Sequence, residues 1–96
     1  MAPRPELLAA FDRAIAATDR AARRVSPTRT GEPSGPRLAT LRDELVRARA
    51  AAAERGTVDP AWVRKTVRST AEWLPDDALP LLAALGAIAR AASLER

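Results

Sequence analysis

The chain has 96 residues, room for one domain with a modest core. Apolar residues make up 47%, too many for a disordered chain, and they are mostly Ala and Leu with only 3% aromatics, a composition that favours helices over sheets. Cys, His and Tyr are absent and the formal net charge is +4, with Lys65 the one lysine among 16 basic residues. The missing Cys excludes disulfides and thiolate chemistry and fits a reducing compartment. The missing His removes the commonest general base and the commonest transition-metal ligand, so no enzymatic activity, metal or cofactor is expected. The preference for Arg over Lys, together with abundant Ala, fits a GC-rich coding sequence.

The first helix is expected near Pro5 and Glu6, where proline and an acid both suit a first turn. Leu7, Phe11, Ile15, Thr18, Ala22 and Val25 recur at steps of three and four, one helical face. Asp12, Arg13, Asp19, Arg20, Arg23 and Arg24 lie mostly off it, and Asp19 and Arg23 are spaced for an ion pair within the helix. Residues 1–25 thus form an amphipathic N-terminal helix. The stretch 26–36, SPTRTGEPSGP, holds three prolines and two glycines and no large apolar residue, and reads as a flexible linker. It is longer than an antiparallel helix pair needs, so the first helix is expected to be loosely tethered.

The second helix is expected over about 37–55. Leu38, Leu41, Leu45, Ala48 and Ala52 form a seam whose second half swaps Leu for Ala, Asp43 and Arg47 are spaced for another ion pair, and Gly56 is a helix stop. VDPAWV opens the third helix, over about 60–74, with Asp59 as N-cap, Pro60 at the first helical position and Val58 stapled to Val63. Trp62, Val63, Thr66, Val67, Thr70, Trp73 and Leu74 gather within about 140° of the wheel. Pro75 disfavours helical geometry at Leu74.

The fourth helix is expected over about 77–95, capped by Asp76 or Asp77. It carries ALPLLAALGAIA, Ala78 to Ala89, without one charge. A helix with no polar face is either central to the fold or pressed against a partner. One side presents Leu81, Leu82, Leu85, Ile88, Ala89 and Ala92; the other presents Ala83, Ala84, Ala87 and Ala91.

The expected fold is all-α: a small four-helix bundle, with a three-helix unit over 37–96 and the N-terminal helix tethered to it, one domain overall. The two tryptophans, three turns apart on one face, are expected in the core of so aromatic-poor a chain. The adjacent acids Asp76 and Asp77 serve as caps, since neighbours on a helix do not face each other.

The function this points to is a non-enzymatic helical interaction or assembly module, an adaptor or regulatory subunit. It is expected to associate with a protein partner or with itself as a homo-oligomer, most simply a dimer. The candidate interaction face comprises Leu7, Phe11 and Ile15 on the first helix and Leu81, Leu85 and Ile88 on the last. The small row Ala83, Ala87 and Ala91 would let a second backbone approach closely. The alternative is a small nucleic-acid-binding protein, in which Arg20, Arg23, Arg24, Arg64, Lys65 and Arg68 would meet phosphates. No tight turn followed by a polar recognition helix is present to favour it. The N-terminal segment lacks a signal-peptide pattern and the uncharged run is too short to span a bilayer. A soluble cytoplasmic protein is expected.

Overall fold

The computed structural model describes residues 5–24, 34–74 and 78–93. These form a four-helix, all-α bundle: α1 (Pro5–Arg24), α2 (Ser34–Arg55), α3 (Pro60–Trp73) and α4 (Leu79–Ser93). The linker expected over 26–36 is shorter at its C-terminal end, because 34–36 already belong to α2. Pro36 is tolerated there because first-turn N–H groups have no intrahelical partner. Val25, residues 26–33, Pro75, the expected caps Asp76 and Asp77, and 94–96 lie outside the described residues.

The core gathers Leu7 and Phe11 of α1, Leu38, Leu41 and Leu45 of α2, Val63 of α3, and Leu81, Leu85 and Ile88 of α4. The buried stripe of α1 continues through Ala14, Ala17, Thr18 and Ala21, while Ala22 is exposed and Ile15 half-buried. The expected face therefore turns by one residue at its end. From Thr18 a step of three, not four, stays on the stripe. The Thr18 hydroxyl is satisfied in the core by donating to the Ala14 carbonyl oxygen at 2.7 Å.

α1 holds a more central place than a tethered appendage would. It packs closely on both α2 and α4, and α3 packs on α4. The reason is side-chain volume: α1 carries the chain's one phenylalanine, fully buried. Two ion pairs fix the antiparallel register of α1 and α2: Arg42 with Asp19 at 2.7 Å, and Arg49 with Asp12 at 2.5 Å. Seven residues separate the pairs along each helix, about two turns. The Asp12 hydrogen bond, and then its charge, raise the Arg49 pKa above its ordinary value. Both pairs are solvent-exposed, so they set register more than stability. Asp19 reaches across to α2 instead of pairing with Arg23. Among the described residues, the Asp43–Arg47 pair within α2 does not form either.

α2 stops at Gly56, whose φ of 78° is the left-handed conformation that favours glycine. Its N–H donates to the Ala52 carbonyl oxygen at 2.7 Å, closing the helix end. α3 then starts as VDPAWV dictates. The Asp59 carboxylate accepts a 3.0 Å hydrogen bond from the Ala61 N–H, and Pro60 opens the helix. At the far end Leu74, before a proline, turns extended, with φ −71° and ψ 133°. Replacing Asp59 with Ala is expected to cost about 1 kcal/mol, read as a lower urea midpoint at constant slope. A change below a few tenths would show that the cap contributes nothing.

α4 is central and not an outer docking rod. Contact with α1 and with α3 accounts for part of its uncharged run: Leu81, Leu85 and Ile88 are buried, whereas Leu79, Pro80 and Ala83 are exposed. Among the described residues no helix is long and apolar enough to cross a membrane.

Candidate docking groove between α2 and α3

α2 and α3 are joined by the short segment Gly56–Asp59, so they run antiparallel. A closed four-helix ring has four close neighbour contacts. Here α1–α2, α1–α4 and α3–α4 are close, but α2 and α3 make no comparable approach. Among the described residues the bundle is open along this seam, and the opening is a groove of about 780 Å³.

Both tryptophans line this groove. Trp62 and Trp73 pack against the core, as expected, but are half-buried and not enclosed by it. The physical reason is that α3 packs closely on α4 alone. Val63 and Thr70 face inward and are almost fully buried, leaving the indoles at the open edge. Their eleven-residue spacing places them about 16 Å apart along the helix, one toward each end of the groove. At the far end the Arg37 guanidinium lies 5.8 Å from the Trp73 ring centroid, a cation–π contact between the two walls. At the turn end the groove continues into a second hollow of about 680 Å³, with Glu44 and Trp62 shared between the two. The floor includes Leu41 of α2 and Thr66 and Thr70 of α3.

The charged groups on the walls balance. Arg37 and Glu44 come from α2, Lys65 and Glu72 from α3. Among the described residues no ion pair links them across the groove, and Glu72 does not pair with Arg68 along α3. All four are exposed.

The other expected site residues fall differently. Leu7, Phe11, Leu81, Leu85 and Ile88, expected on an interaction face, are 0–2% exposed and form the bundle's own core. Ile15 sits half-buried at its margin. The alanine row does not form one face: Ala83 is exposed, Ala87 half-buried and Ala91 buried. Helical drift carries a four-residue step about 40° around the axis each time, which takes Ala91 inward. Arg20, Arg23, Arg64 and Arg68 are exposed on two helices, and the side chain of Arg24 lies outside the described residues. Lys65 alone of that basic set lines the groove.

Arg37, Thr40, Leu41 and Glu44 belong to the site without having been singled out in the sequence as part of it. The available signal was Thr66 and Thr70, two polar residues inside an otherwise apolar face of α3. Among the described residues no group of three or more acidic side chains is placed to hold a metal ion. Comparison with protein-family models, with curated proteins and with solved structures finds no match, so the groove's own geometry carries the functional reading.

Proposed function

We propose that the protein is a non-enzymatic, cytoplasmic helical interaction module whose docking surface is the groove between α2 and α3. One observation carries this reading: the chain's two tryptophans, its largest apolar side chains, are left half-buried along the open seam of the bundle. Tryptophan is the residue most enriched among energetic hot spots of protein interfaces. An elongated groove between two antiparallel helices suits an amphipathic helical element of about three turns. Balanced wall charges offer a polyanion no net electrostatic gain, so a protein surface fits better than nucleic acid.

The test places a photo-crosslinking residue at Thr40 or Ser69, both exposed and lining the groove, and at Arg13, exposed on α1, as control. In cells producing the chain, discrete protein adducts are expected from the two groove positions and not from the control. Absence of groove adducts, or equal adducts from Arg13, would overturn the proposal.

A further inference from the structure

We draw no further inference here: the strongest candidate, the hollow at the α2–α3 turn lined by Arg47, Arg55, Val58 and Trp62, continues the groove already described, and nothing in the structure shows what covers it.

Discussion

Replacing Phe11 with Ala is expected to destabilise the bundle by about 3–5 kcal/mol, the usual cost of truncating a buried aromatic. Phe11 is 0% exposed and is the only aromatic side chain fully enclosed by the core. It stands where α1 meets both α2 and α4, so the cavity would open at the junction of the bundle's closest contacts. Small domains have stabilities of about 5 kcal/mol or somewhat more, so the variant should sit at the edge of unfolding at room temperature. Urea denaturation followed by circular dichroism measures this directly. A loss below about 1 kcal/mol would show that α1 is not part of the core.

Replacing Leu85 with Asp should have the other large effect, and its pH dependence is diagnostic. Leu85 is 2% exposed in the centre of α4. A carboxylate there has no partner, and burying it costs several kcal/mol, enough to unfold the chain at neutral pH. Burial disfavours the charged form, so the folded-state pKa of the introduced carboxyl lies above its unfolded value of about 3.9. Between those two values the folded state binds more protons than the unfolded state. Stability of this variant therefore falls as pH rises through that window and recovers as pH drops below the folded pKa. Ala83→Asp, two residues away on the exposed side, should change stability by about 0.5 kcal/mol or less. A Leu85→Asp chain that stays folded at neutral pH and only loses self-association would mean that α4 is an interface and not core.

The helices were legible in the sequence because local chemistry wrote their ends. Asp59, Pro60 and Gly56 each specify a boundary by a cap, a fixed φ or a left-handed residue, and each acts within a turn or so of itself. The leucine seam of α2 and the Leu/Ile face of α4 were legible for the same reason. Helical period assigns a face without knowledge of what covers it.

What covers each face was not legible. The uncharged run of α4 has the same pattern whether α1 and α3 or another chain lies against it, and periodicity is silent on the difference. The same limit hid how far the tryptophans, which pack against the core, stay open on their outer side. An apolar face of about 140° on α3 reads as core, but α3 packs closely on α4 alone, and the edges of that face remain open. The splay between α2 and α3 is a tertiary outcome.

Collisional quenching of tryptophan fluorescence tests the open groove most directly, because the only two indoles in the chain both line it. In dilute solution a neutral quencher should reach both, because each indole is half-buried on the groove wall. Indoles already shielded in the dilute monomer, with the blue-shifted emission of a closed core, would contradict an open docking groove between α2 and α3.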